Sequence, residues 1–257
     1  MISGVRALLF YLGYSVATIV WGSFSILFAW ALPYRMRFAF IIGFWTRVVL
    51  GWLRLTCGIR AEVRGLENIP EVPCIVFSRH ESSWETLFLQ SLFYPQATLI
   101  KRELLWIPFF GWAFALTKPI AIDRGSPRAA LTKFIELGRS RLEAGIWVLL
   151  FPEGTRMPRG ELGKFQAGGA ALAAATEQPV LVVAHDAARF WPAHAFKKTP
   201  GCVTLRIAPP ISTAGKSSKA INEETRQVMA GLIAELEAEV EGARLTRRGA
   251  RNAEARG

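Results

Sequence analysis

The feature that most limits what this chain can become is residues 7–34, a run of 28 without one charged side chain. As an α-helix it would reach about 42 Å at 1.5 Å per residue, more than the roughly 30 Å of hydrocarbon in a bilayer. Arg6 before the run and Ala29-Trp30-Ala31 near its end imitate a secretory signal with a cleavage site. The run is longer than the apolar stretch of a signal, however, and a second apolar segment follows at once. Pro33 interrupts the pattern. Residues 38–57 then resume it with Arg47 and Arg54 seven apart, on one helical face, and Gly58 is placed to end the helix. The pattern predicts a hairpin of a membrane-entering helix and an amphipathic helix in the interface. Two buried core helices would leave a similar record. The membrane reading is favoured because Trp21, Trp30, Arg35, Arg37, Trp45 and Trp52 suit an interfacial belt. Arg35 and Arg37 after the first run, against Arg6 before it, place the rest of the chain on the cytoplasmic side, at the inner membrane in a bacterium.

Composition agrees. Mean hydropathy is +0.26 although 20% of residues are charged, and the net charge is +11. Such a basic chain would serve either nucleic acid or an anionic membrane. No recognition-helix, zinc-finger or base-stacking signature accompanies the charge, so nucleic acid is not an expected partner and membrane lipids are. Cys57, Cys74 and Cys202 are scattered, with no CxxC pair and no His/Cys cluster. They read as free thiols in a reducing compartment, with neither a disulfide framework nor a metal site.

Beyond Arg60 the texture changes. Short apolar runs at 74–78, 98–100, 119–122, 146–151, 180–184 and 202–208 read as buried strands. Helical patterns at 83–93, 128–143 and 166–176 separate several of them, which predicts an α/β fold with a mostly parallel sheet covered by helices. Residues 219–241 form an amphipathic helical pattern. From 243 onward the chain carries five arginines and little to bury, and reads as a disordered tail. The expected organisation is a membrane-associating hairpin at 1–60, a main domain at 61–241 and a basic tail at 242–257.

Three segments after expected strands carry chemical possibilities. In the first, His80 follows a strand, where open α/β sheets present their sites. Glu85 comes five residues later, about 140° away on a continuous helix. The two side chains meet only if His80 lies in the loop and Glu85 in the first helical turn, with Ser82 as the N-cap between them. The same residues also read as a capping box, Ser82-x-x-Glu85, in which the carboxylate holds only a backbone amide. In the second, Lys101 and Arg102 precede Glu103, Leu104, Pro108 and Gly111. The adjacent cations fit either a phosphate site or a solvated charged turn. The third is Phe151-Pro152-Glu153-Gly154-Thr155-Arg156, where Gly154 permits close backbone approach and Arg156 can grip a phosphate bidentately. His185 and Asp186 end a later strand and read as a loop at its edge.

Taken together, these blocks resemble the glycerolipid acyltransferase family, and specifically its lysophosphatidic acid acyltransferases. His80 and Glu85 match its His-x4-Asp/Glu block. Lys101, Glu103, Leu104, Pro108 and Gly111 match the second, Phe151 through Arg156 the third, and the strand from Pro179 to His185 the fourth. Ile122-Asp123-Arg124 and Lys164-Phe165 add to the likeness, which covers about residues 65–208. The resemblance implies transfer of an acyl group from an acyl carrier protein or coenzyme A thioester to the free hydroxyl of lysophosphatidic acid. It implies His80 as general base and Glu85 as its orienting carboxylate. Lys101 and Arg156, with Arg102 and Arg124, would be phosphate ligands, and Glu153, Gly154 and Thr155 would shape the pocket. No metal or redox cofactor is implied. Glycerol 3-phosphate or a lyso-aminolipid is the alternative acceptor, and a non-enzymatic anionic-lipid-binding protein the alternative class. Two residues depart from the family pattern: Glu85, where aspartate is commoner, and Arg79, where asparagine is usual. Arg79 is therefore a candidate for altering the acceptor head group.

Overall fold

The computed structural model describes residues 2–122 and 127–254. Seven strands form one sheet: β1 (Ile59–Arg64), β2 (Ile75–Ser78), β3 (Gln96–Lys101), β4 (Ile120–Ile122), β5 (Trp147–Leu150), β6 (Val180–His185) and β7 (Gly201–Ile207). Their spatial order is β1-β7-β6-β2-β5-β3-β4. Every pairing is parallel except β6 with β7. The central strands β2, β5 and β6 are buried along their whole length. That is why they read as unbroken apolar runs, as parallel strands covered on both faces must. β1 was not foreseen. Its sequence, Ile-Arg-Ala-Glu-Val-Arg, buries only Ile59 fully and exposes four of the six residues, as an edge strand can.

Among the described residues, eight helices complete the fold: α1 (Ile2–Phe28), α2 (Tyr34–Phe38), α3 (Trp45–Cys57), α4 (Trp84–Leu92), α5 (Phe110–Ala115), α6 (Pro127–Glu143), α7 (Ala167–Thr176) and α8 (Ser218–Glu254). A π-helical turn, Ala39–Phe44, joins α2 to α3, and Gly58 ends α3 in the left-handed region at φ 69°. One face of the sheet packs against α1, α3 and α4 through Phe10, Trp45, Val49, Leu53, Trp84 and Leu87. The other packs against α6, α7 and α8 through Phe134, Leu172, Ile221, Met229 and Leu236.

The N-terminal hairpin is therefore part of the main core and not an appendage. α3 covers the sheet, while α1 lies outside it and shares Phe10 with the core. The outer face of α1 exposes Leu8, Leu12, Val16, Ile19, Val20, Leu27 and Phe28. Residues 2–31 and 34–57 form two helices long and apolar enough to cross a membrane, and only 17% of the apolar window of the first is buried. That degree of exposure separates α1 from a core helix of a soluble protein and fits membrane association. At the other end, α8 continues to Glu254 where the sequence pattern predicts a tail. Backbone hydrogen bonding propagates along a helix one residue at a time, so the helix does not need a buried face to extend past its last packed turn.

Candidate active site

β6, β2 and β5 lie side by side, so the residues that follow their C-terminal ends converge. The Arg79 N–H donates to Val183 O at 2.9 Å, after which the chain leaves the sheet. His80 lies in that loop, and α4 begins at Trp84. The break required for His80 and Glu85 to meet is present: Nδ1 of His80 is 2.7 Å from Oε1 of Glu85. The same oxygen accepts the N–H groups of Glu81 at 3.1 Å and Ser82 at 2.9 Å. The capping box and the His–carboxylate pair are thus one arrangement, and a single buried oxygen serves both. The cap position itself is Ser83, one residue later than expected, although Ser82 Oγ accepts the Trp84 N–H at 3.1 Å. Ser82 Oγ also donates to Trp191 O at 2.6 Å, tying this loop to the segment after β6.

With Nδ1 held by the carboxylate, Nε2 is the ring atom left to exchange a proton. The ring is half-buried and stacks on Phe151 at 4.1 Å, with the planes 20° apart. Phe151 directly follows β5, so the adjacent strand supports the imidazole from beneath. Glu153 accepts the His80 backbone N–H at 3.1 Å and the Gly163 N–H at 3.3 Å. Burial raises its pKa, against the opposing pull of those bonds and of Arg79. Its part is to brace the loop rather than to line a pocket. Gly154 adopts φ 72°, as its place in the turn requires, and Thr155 is exposed.

Arg156 is half-buried, with its Nε donating to Ser82 O at 3.0 Å. It lines a cleft of about 280 Å³ with Ser83, Tyr11 of α1, and Trp191, His194, Ala195 and Phe196 of the segment after β6. Tyr11 and Phe196 stack at 5.3 Å across this cleft. Lys101 ends β3 and Arg102 begins the following 3-10 turn. Both are exposed, on the same edge of the sheet, but neither lines the cleft. Arg124 lies outside the described residues. A narrow apolar pocket of about 20 Å³, lined by Trp21, Gly22, Ser25, Trp45 and Phe114, sits between the N-terminal helices and α5. That is room for about one water, well short of an acyl chain.

Arg79 corrects an expectation. It is 1% exposed and cannot meet an acceptor head group. Its Nε pairs with Glu81 at 2.7 Å, one terminal nitrogen donates to Pro158 O at 2.8 Å, and the other is 3.7 Å from Glu153. It is the internal cation of a carboxylate cluster, where a buried charge must be paired. Sequence reasoning assigned nothing to Glu81, although it lies inside the first block, and read His185 as a loop at a strand end, whereas it is buried in β6 against Glu81 and Glu85. The available signal was a histidine closing an otherwise wholly apolar strand.

Comparison with known proteins agrees with this geometry. The family model described as Acyltransferase matches residues 60–186, from β1 to the end of β6. A 1-acyl-sn-glycerol-3-phosphate acyltransferase from Pseudomonas aeruginosa is 48% identical over 222 residues, covering 86% of each chain. One from Cocos nucifera is 28% identical over 235 residues, covering 90% of this chain and 74% of the relative. The crystal structure of the 1-acyl-sn-glycerophosphate (LPA) acyltransferase from Thermotoga maritima superposes with a TM-score of 0.77 at 25% identity, covering 91% of this chain and 95% of that one. The histidine–carboxylate pair, the arginine cleft beside it, the fold and the sequence likeness converge: the chain belongs to the 1-acyl-sn-glycerol-3-phosphate acyltransferase family and is an acyltransferase.

Proposed function

We propose that this enzyme transfers a fatty-acyl group from an acyl carrier protein or coenzyme A thioester to the free hydroxyl of lysophosphatidic acid, giving phosphatidic acid. The observation that carries the reading is the 2.7 Å contact between His80 and Glu85 beside the cleft that holds Arg156. His80 Nε2 takes the proton of the glycerol hydroxyl as its oxygen attacks the thioester carbonyl. The carbon–sulfur bond then breaks, the thiol leaves with a proton, and the ester remains on the acceptor. Glu85 fixes the tautomer of His80 and stabilises the imidazolium, and the acceptor itself supplies the nucleophile. Arg156 holds the acceptor phosphate, with Lys101, Arg102 and Arg124 as the further phosphate ligands. Glu153, Gly154 and Thr155 shape the turn that carries Arg156. No metal or redox cofactor enters the scheme. The exposed face of α1 rests in the lipid and keeps the cleft at the surface from which the acceptor arrives. The excess of Arg35 and Arg37 after the first apolar run over Arg6 before it supports the cytoplasmic leaflet as that surface.

Purified enzyme incubated with lysophosphatidic acid and either acyl-coenzyme A or acyl carrier protein thioester tests the reading, with product followed by mass spectrometry. Phosphatidic acid is expected, and the two arms identify the donor. Preference for glycerol 3-phosphate or a lyso-aminolipid in a parallel panel would reassign the acceptor. The phosphate grip has its own test. Arg156→Lys keeps the charge but loses the planar fork, so acceptor kcat/KM should fall roughly ten- to a hundred-fold, the equivalent of about 1.5–3 kcal/mol of charge-assisted bonding. The variant should also lose much of the preference for lysophosphatidic acid over uncharged monoacylglycerol. An intact preference would take Arg156 out of the phosphate site.

A further inference from the structure

β6 carries a titratable ring into the buried interior of the protein. All six of its residues are buried, and His185 is 2% exposed. A buried imidazole needs partners for both nitrogens. Nε2 lies 3.1 Å from Arg79 O and 3.8 Å from Glu85 Oε2. Nδ1 lies 3.6 Å from Glu81 Oε1 and accepts the Ala187 N–H at 3.3 Å. The Trp84 ring closes the side, edge-on at 5.9 Å. Glu85 is divided in its bonding. Oε1 takes the three hydrogen bonds described above, whereas Oε2 is buried and makes none. An orphaned carboxylate oxygen is costly unless a positive charge faces it.

The ring has two possible states. A neutral ring with its hydrogen on Nε2 donates to Arg79 O and accepts the Ala187 N–H, but it sets a bare Nδ1 against a carboxylate oxygen of Glu81 and leaves Glu85 Oε2 without a positive partner. An imidazolium gives up the Ala187 bond and presents N–H toward both glutamates. The charge count favours the second. Arg79 is the only cation paired inside a cluster that also buries Glu81, Glu85 and Glu153, which leaves two carboxylates unmatched among the described residues. We propose that His185 is a buried imidazolium that acts as counter-ion to Glu81 and Glu85 and positions the Glu85 carboxylate for His80. This assignment rests on the reading of His80 as general base.

The other charges near the ring are accounted for. Asp186, next in the chain, is tied to Arg189 at 2.8 Å and to the Thr204 N–H at 2.8 Å. Arg159, from the loop after β5, couples to Glu81 and Asp186 and pairs with Glu237 of α8. Burial opposes a charge on His185, but Glu85 and Glu81 together outweigh it and move the ring above its ordinary value. Burial likewise opposes the charge of Glu81, and the bond and charge of His185 carry it below the usual carboxylate range. The consequence falls on His80. With His185 charged, one negative charge in the cluster remains uncompensated, and the proton taken from the acceptor hydroxyl neutralises it.

His185→Gln keeps a donor for Arg79 O and removes the charge. Loss of the counter-ion beside the His80–Glu85 pair should move the acid limb of the kcat/KM profile to higher pH. The loss should fall on kcat, with acceptor KM within about twofold of wild type. A folded variant whose acid limb does not move overturns the proposal. If the variant does not fold, the wild type decides. The chain has three histidines, 80, 185 and 194, so ¹⁵N imidazole spectra in detergent micelles can be assigned with His80→Ala and His194→Ala. His185 is expected doubly protonated at pH 7, and a neutral ring there overturns the proposal. Turnover retained by His80→Ala would instead remove the general base, and with it the role of His185, whatever the charge of that ring.

Discussion

At the scale of single residues, the site concentrates several duties on few atoms. Oε1 of Glu85 holds two backbone amides and one imidazole nitrogen. Glu85→Gln can keep all three bonds through its amide oxygen, because glutamine also serves in a capping box. It removes the charge that stabilises a protonated His80. Turnover should therefore fall while the thermal midpoint stays close to wild type, and unchanged turnover would reduce Glu85 to a cap. His80→Ala should lower turnover by ~10²–10⁴-fold, the usual range for losing a general acid–base group. Circular dichroism and membrane association should be unaltered, since the ring is half-buried and packs chiefly on Phe151. Near-normal turnover in the folded variant would end the mechanism. The meeting of His80 and Glu85 was one of two arrangements that local spacing allowed, and the family resemblance pointed to it. The burial of Arg79 was not legible in the sequence, because its partners Pro158 and Glu153 come from a distant segment.

At the scale of elements, the close approaches are made at glycines. A Cβ on Gly111 would lie 2.5 Å from Leu104 O and 2.6 Å from the carbonyl of Leu105. The second sequence block thus includes a packing requirement of α5 against the preceding turn. Gly111→Ala should destabilise by about 1–3 kcal/mol, as overpacking against backbone does, and a midpoint equal to wild type would refute the close contact. The segment after β6 is held differently. The ammonium of Lys198 sits 4.8 Å, 3.9 Å and 4.3 Å from the rings of Phe10, Tyr11 and Trp191, so it joins that segment to α1 beside the cleft. Burial lowers its pKa from 10.5 to about 8. Between those two values the unfolded chain binds the proton more readily than the folded one, so this group makes stability rise with pH across that window. Relative to Lys198→Met, the wild type should gain thermal stability from pH 7.5 to pH 10.5. Parallel profiles for the two proteins would show that the ammonium is not desolvated.

At the scale of the whole molecule, the hairpin and the sheet are one folding unit. Trp45, Val49 and Leu53 of α3 belong to the same buried cluster as Val76, Leu149 and Val183 of the sheet. A chain begun at Gly58 would leave α4 alone to cover that face of β2, β5 and β6. Expressed alone, residues 58–257 should aggregate or bind a hydrophobic dye strongly, because an exposed apolar patch of that extent is not tolerated in water. A monomeric, cooperatively unfolding product would restore the picture of a detachable anchor. The site inherits from this union: Tyr11 of α1 lines the same cleft as Arg156, so the helix with the exposed apolar face also walls that cleft.

Apolar periodicity and local spacing were enough to define the two N-terminal helices, the central strands with their covering helices, and the loop that carries His80. These are properties of neighbours in sequence, and the physics that sets them is short-ranged. β1 stayed hidden because an edge strand need not be apolar, and the length of α8 because a helix can outrun its packed face. The tertiary structure alone decided that α3 covers the sheet, that Arg79 turns inward, and that His185 lies between two glutamates. Those arrangements depend on which strands become neighbours. Once β6, β2 and β5 are adjacent, residues more than seventy positions apart share one buried electrostatic cluster. There each charge is set by its partners, which the local sequence around it does not reveal.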